Sequence, residues 1–409
     1  MTRDTRFAGV HPRVALSLLG PLAASCGAPR AAWVDASPIA IVAAPAVEAP
    51  LAIEPPPAPP RVGPLRREAP ILFQPSLVHA AIQPLSRAVR GWAARRDGAT
   101  RVELGCRRGT TVVDASGERP VAGAATRVAI AGDGAELARE HAGRIHRTPL
   151  GGGAVPPVLD GTDAIYLEGA DGPVLAFHRG CEWFAAAIGG PDAPIGSSCG
   201  VPIRTEHGRA RLWLAEPAGP AATGIPAIVG LEPGQPPITI DLAGSPGMSA
   251  PAMSADATIL CGTFVDAGHD VLSCRLRDGG EFEPVAKDVF GAAHFADDAR
   301  RLVYTVGDRA HVPRELHLVD FDHRIVRRLG RVAHHRLAFL PGGEHVVAFD
   351  GARGLVFELD TGWVTPFGEE GDDWVALGGA DRPGTFLASR LRSRCAELVR
   401  VVLPPRDAG

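Results

Sequence analysis

Phe295-Ala296-Asp297-Asp298-Ala299-Arg300-Arg301-Leu302-Val303-Tyr304, followed by Glu315-Leu316-His317-Leu318-Val319-Asp320, decides how this chain is read. The first stretch is a turn, Asp-Asp-Ala, that runs into an apolar strand. The second alternates apolar and polar residues at its start, the period of two expected of a half-buried strand. The same logic recurs on both sides. Met253-Ser254-Ala255-Asp256-Ala257-Thr258-Ile259-Leu260-Cys261 begins 42 residues earlier, and Phe339-Leu340-Pro341-Gly342-Gly343-Glu344-His345-Val346-Val347-Ala348 begins 44 residues later. Second strands follow at 270–276, 315–320 and 354–360. Third, more exposed strands follow at 325–329 and 363–367.

A period of about 40–45 residues with about four short strands per unit points to a β-propeller blade. One such sheet cannot bury both of its faces, and stacking sheets around an axis does so. Upstream, 144–153 reads as the last strand and turn of a blade, and 164–167 with 174–177 as the hairpin of the next. Segments 210–214 and 238–242 supply another, and 374–403 holds three more strands. The expected fold class is all-β, a β-propeller of about six to eight four-stranded blades. A β-sandwich or a pair of β-domains is the competing architecture. Segment 85–96 reads as a short helix, against which Gly91 counts.

The repeats resemble the TolB-like, WD-repeat-like propeller unit, in which a turn precedes one strand and a strand ending in Asp follows. Asp297-Asp298-Ala299-Arg300-Arg301-Leu302-Val303-Tyr304 with Leu316-His317-Leu318-Val319-Asp320 is the best match, and Leu340-Pro341-Gly342-Gly343 is second. The resemblance covers about 120 residues. It implies a protein-interaction role at the cell envelope and assigns no contact residue.

The N-terminus reads as an export signal. Arg3, Arg6 and Arg13 precede an apolar run at 14–24, and small residues lead to Cys26. Such a run is too short for a stable bilayer span. Leu22-Ala23-Ala24-Ser25-Cys26 resembles a bacterial lipoprotein signal, in which cleavage precedes a lipid-modified cysteine. Here Ala23 stands where the family prefers Leu. Gly27 after the cysteine implies the outer membrane by resemblance to enterobacterial sorting. Plain secretion, or a periplasmic protein, is the alternative. Residues 28–64 contain ten Pro and eleven Ala, which suits an extended, semi-rigid spacer. The expected organisation is a signal peptide at 1–25, a lipid-anchored linker at 26–64 and a propeller at 65–409.

Apart from Cys26 the chain has six cysteines: Cys106, Cys181, Cys199, Cys261, Cys274 and Cys395. An even number suits an oxidising compartment, and six allow fifteen pairings. If Val265 and Asp270 pair across a hairpin, the same register brings Cys261 opposite Cys274. Cys181 and Cys199 bracket a Gly/Pro-rich loop. Cys106 and Cys395 lie near the ends of the body, which meet in a propeller, so a bond between them would lock the ring. The alternative is six buried thiols acting as small hydrophobes.

Little else points to chemistry. Lys+Arg is 42 and Asp+Glu is 46, a net charge of −4, which argues against a nucleic-acid binder. Gly196-Ser197-Ser198-Cys199-Gly200 matches the nucleophile-elbow string, but Val201-Pro202-Ile203 is a poor helix start. His334-His335 point to opposite faces if on a strand. Glu369-Glu370-Gly371-Asp372-Asp373 is an acidic turn without an EF-hand pattern. Asp320 and Asp322 form a weak carboxylate pair. No cofactor motif and no metal signature is present. The reading is a monomeric envelope lipoprotein that presents a propeller to a protein or small ligand and touches the membrane only through its anchor. The rival is a propeller enzyme of lyase or glycosidase type, with its site at the central channel.

Overall fold

The structure, a computed structural model, describes residues 64–95, 99–106, 109–169, 171–203, 211–216, 225–242, 247–307, 313–333, 337–350, 353–369, 373–378, 384–392 and 395–405. These residues form strands and turns with no helix. Six antiparallel sheets follow one another: blade 1 (127–160), blade 2 (162–197), blade 3 (201–241), blade 4 (249–286), blade 5 (294–332) and blade 6 (338–367). In each, four strands lie across the sheet in chain order. The first strands of blades 1 and 2, of blades 4 and 5 and of blades 5 and 6 touch one another, which places first strands at the axis. The strand 144–149 is the third of blade 1, not the last, because the two-residue strand Leu159–Asp160 adds outside it.

The repeated turn explains the repeated sequence. In blade 4 the Ser254 hydroxyl accepts bonds from the amides of Thr258 (3.1 Å) and Ile259 (2.9 Å). In blade 5 Asp298 accepts the amides of Arg300 and Arg301 at 2.9 and 3.1 Å. The residue after each Asp is left-handed, Ala257 at φ 56° and Ala299 at φ 60°, and Gly343 takes that position in blade 6 at φ 74°. Side chains in turns of this kind satisfy backbone donors that the ladder leaves open.

Alternation along each strand then builds the core between blades. Leu302 and Tyr304 pack with Ile259 and Leu272 of blade 4, whereas Val303 packs with Phe339 and Val346 of blade 6. Trp183 of blade 2 meets Leu214 of blade 3, and Trp213 of blade 3 meets Leu260 of blade 4. Each interface buries faces that a lone sheet would expose.

The N-terminal part of the body closes the ring. β1 (Arg66–Arg67) pairs in parallel with the last strand of blade 5, and β2 (Gln74–Pro75) with the last strand of blade 6. β3 (Ala81–Ala94) then joins a seven-stranded sheet. Its first half pairs with Cys395–Val402, its second half with Arg101–Gly105, and Val89 pairs with both Ala396 and Gly105. One end of this sheet packs on blade 6 through Trp374, Phe386 and Val401, and the other on blade 1 through Val102 and Val112 against Leu137. In place of the helix expected at 85–96, the chain is therefore a strand as far as Ala94. Local propensity loses to two sheet edges, each of which needs a partner for its backbone groups.

Candidate functional site: a cleft between blades 2 and 3

Antiparallel order puts the start of each first strand, the turn between second and third strands and the link to the next blade at one end of the blade, its entry face. Two of the three cysteine pairs lie there. Cys181 follows the second strand of blade 2 and pairs with Cys199 in the link to blade 3, with Cα atoms 4.4 Å apart. Cys106 pairs with Cys395 across the wide sheet at 6.2 Å. Cys261 and Cys274 sit opposite one another in register, 4.1 Å apart between Cα atoms and fully buried. Cys26 lies outside the described residues.

The other singled-out motifs do not assemble a reactive centre. Ser198 is buried, and its hydroxyl accepts the amide of Gly200 at 3.0 Å. The Trp183 indole N–H donates to the Ser198 carbonyl at 3.1 Å. A strand begins at Val201, where a nucleophile elbow needs a helix. Asp320 accepts the amide of His323 at 3.0 Å, while Asp322 turns toward Arg300 at 3.8 Å, so the two carboxylates serve separate turns. His334, His335, Glu370, Gly371 and Asp372 lie outside the described residues. Among the described residues no three His, Cys, Asp or Glu side chains converge as a metal site.

What the structure does assemble is a cleft of about 410 Å³ between blades 2 and 3. Its walls come from the first strand of blade 2 (Ile165, Leu167), from the first strand of blade 3 and the residue after it (Val201, Ile203), and from the second strand of blade 3 (Leu212, Trp213). Its polar groups are Arg127, Asp163 and Arg211. Asp163 is held in an unusual place. The ladder slips between Thr162 and Ile165, and Asp163 takes φ 56°, left-handed for a non-glycine residue. Such bulges and strained residues re-aim side chains. Asp163 pairs with Arg127 of blade 1, and its Oδ2 lies 2.8 Å from His178 Nε2. The His178 ring rests on Trp183, with centroids 4.7 Å apart, and its Nδ1 lies 2.7 Å from the Gly180 carbonyl.

Across the cleft, Arg211 donates to Glu232 at 2.6 Å and its guanidinium lies 5.8 Å from the Trp213 ring centroid. Tyr166 donates its hydroxyl to Glu136 at 2.7 Å. Burial raises its pKa far above the ordinary phenol range, so it stays a neutral donor. The cleft thus combines an apolar wall with two guanidinium groups and one carboxylate, fixed on strands. None of these polar residues was legible beforehand. The one sequence sign is Gly161-Thr162-Asp163 at a strand start, which is common in turns.

No known protein family matches this sequence, and no curated protein does. Solved structures do match in shape. A eukaryotic initiation factor is 12% identical with a TM-score of 0.53, covering 76% of this chain and 84% of that one. The Dos1 propeller is 8% identical with a TM-score of 0.50, over 80% and 96% of the two chains. The WD40 domain of SCAP from fission yeast is 9% identical with a TM-score of 0.50, over 79% and 98%. Likenesses at this identity establish the fold, a WD40-like β-propeller, and nothing about activity.

Proposed function

We propose that the chain is a cell-envelope lipoprotein, anchored through Cys26, whose propeller binds a partner protein or small ligand at a cleft between two blades. The observation that carries the binding role is the cleft between blades 2 and 3. Arg127, Asp163 and Arg211 stand on a rigid frame beside an apolar wall, a combination suited to recognition. Export is supported by the cysteines. Six of them fall into three adjacent pairs, as befits a chain that matures in an oxidising compartment. An acyl anchor on Cys26 would hold the protein at a membrane, each buried CH₂ contributing about 0.8 kcal/mol. The Pro/Ala-rich segment 28–64 serves as the spacer between anchor and propeller.

Two measurements test the reading. Mass spectrometry of the mature N-terminus is expected to find residues 1–25 removed and Cys26 acylated. An unmodified N-terminus elsewhere overturns the anchor. Crosslinking capture from envelope extracts is expected to yield a partner that Arg127→Ala and Arg211→Ala reduce together. Capture that is indifferent to both variants overturns the cleft as the binding surface.

A further inference from the structure

We propose that a separate cleft, at the entry face between blades 4 and 5, binds a neutral polyhydroxyl compound, either a free sugar or the sugar end of a glycan. The cleft holds about 300 Å³ and is lined by Ser249, Thr263, Asp270 and Phe290 with the backbone of Ala250 and Gly291. That volume lies at the lower end of the range of small-molecule sites, roughly 300–1,000 Å³.

Three observations converge here. The ladder slips between Ser249 and Ala252, and Ala250 takes φ 45°, so a bulge and a strained residue again mark the start of a first strand. Thr263 is 6% exposed, and its hydroxyl has no hydrogen-bond partner among the described residues. A buried polar group left in this state calls for an explanation, and a ligand hydroxyl supplies one. The lining is also held in place. The Val289 amide donates to the Asp270 carbonyl at 2.9 Å, the Phe290 amide to the Thr305 carbonyl at 2.9 Å, and the Thr305 hydroxyl to the Phe290 carbonyl at 2.7 Å. A lining fixed in advance spares the ligand the cost of ordering it.

Charge narrows the ligand class. The Asp270 carboxylate disfavours an anion. The Arg314 guanidinium, 3.7 Å above the Phe290 ring, disfavours a cation. The Ser249 hydroxyl already donates to the Thr263 carbonyl at 3.2 Å, which leaves it acceptor capacity. Asp270 accepts only, whereas Thr263 both donates and accepts. A ligand with several hydroxyls meets all three, and its C–H face suits the Phe290 ring. This site shares no residue with the cleft between blades 2 and 3 and does not depend on that cleft's role.

Calorimetry on the full-length protein tests the assignment. The neutral probes are methyl α-D-glucopyranoside, methyl α-D-mannopyranoside, methyl β-D-galactopyranoside and maltotriose. The charged controls are glucuronate and glucosamine. At least one neutral probe is expected to bind about tenfold or more tighter than either control. Thr263→Val is expected to weaken it by at least about tenfold. Should that variant fail to fold, Ser249→Leu on the exposed lip is expected to block binding instead. Maltotriose tighter than the methyl glucoside marks a glycan end and the reverse a free sugar, and both support the proposal. It is overturned if no neutral probe binds below about 10 mM, if a charged control binds equally, or if neither variant matters.

Discussion

Cys106 and Cys395 are separated by 289 residues in sequence and by 6.2 Å between Cα atoms. One directly follows Arg101–Gly105 and the other begins Cys395–Val402, and both of those strands pair with β3. The bond therefore ties together the two halves of the sheet in which the ends of the body meet. By loop-closure entropy a cross-link of that span stabilises by about 5 kcal/mol at most, against about 3 kcal/mol for a short hairpin loop such as that of Cys261 and Cys274. The double variant Cys106→Ser/Cys395→Ser is expected to lose more stability in urea than Cys261→Ser/Cys274→Ser. Equal losses, or free thiols at all six positions of the native protein, would count against this.

Glu136 and Arg147 are both fully buried, with Nε and Oε1 2.8 Å apart. The pair also stitches blade 1 to blade 2. Arg147 Nη1 donates to the Gly190 carbonyl at 2.8 Å, and Glu136 accepts from Tyr166 at 2.7 Å and from the Gly189 amide at 3.2 Å. Removing one partner leaves a buried charge uncompensated, so Arg147→Met is expected to cost about 3–5 kcal/mol. The double variant Glu136→Leu/Arg147→Met is expected to cost less than the sum of the two single changes. Additive losses in urea titrations would show that the two charges are not coupled.

Why the blades were legible and the clefts were not follows from where each is encoded. The turns at Asp256, Asp298 and Gly343 are local, so the repeat and its strands could be read in order. The register of Cys261 with Cys274 followed from one hairpin. β1, β2 and the double pairing of β3 are decided by distant edges, and nothing within Arg66–Arg67 or Gln74–Pro75 announces a parallel partner. The clefts depend on register slips at 162–165 and 249–252. Such slips arise from competition among neighbouring strands and leave no period in the sequence.

His317 makes stability depend on pH. Its ring stacks on Tyr304 with centroids 5.5 Å apart, and Nε2 lies 3.2 Å from Glu315. Burial lowers its pKa below the ordinary 6.5, although the Glu315 carboxylate opposes the shift. Below about 6.5 the unfolded chain thus binds more protons than the folded one, and stability present above that pH is lost as pH falls toward the folded value. His323 acts in the opposite sense. Its bond to Asp320 raises its pKa, so its contribution is present below 6.5 and fades as pH rises through the raised value. His317→Gln is expected to flatten the loss of stability between about pH 7 and pH 5. A variant whose stability falls as steeply as the wild type over that range would place the acid sensitivity elsewhere.

The strap of β1 and β2 covers edges that would otherwise be open. The amides of Arg66, Gln74 and Ser76 donate to the carbonyls of Arg324, Gly362 and Val364, each at 2.8 Å. Glu68 holds Arg327 through Nε at 2.9 Å and Nη2 at 2.5 Å, and Phe73 sets its ring edge-on to Phe357 at 5.1 Å. An uncovered edge strand is a template for pairing with another chain. Phe73→Ala removes the main apolar hold and is expected to cost about 2 kcal/mol, less than for a fully buried ring. Because each strand of the strap is only two residues long, the loss should appear locally. Faster exchange of the Gln74 and Ser76 amides, protease cleavage within 64–80 and concentration-dependent self-association are the expected signs, with the blades still protected. Unchanged exchange and cleavage in Phe73→Ala would show that the backbone ladder alone holds the strap.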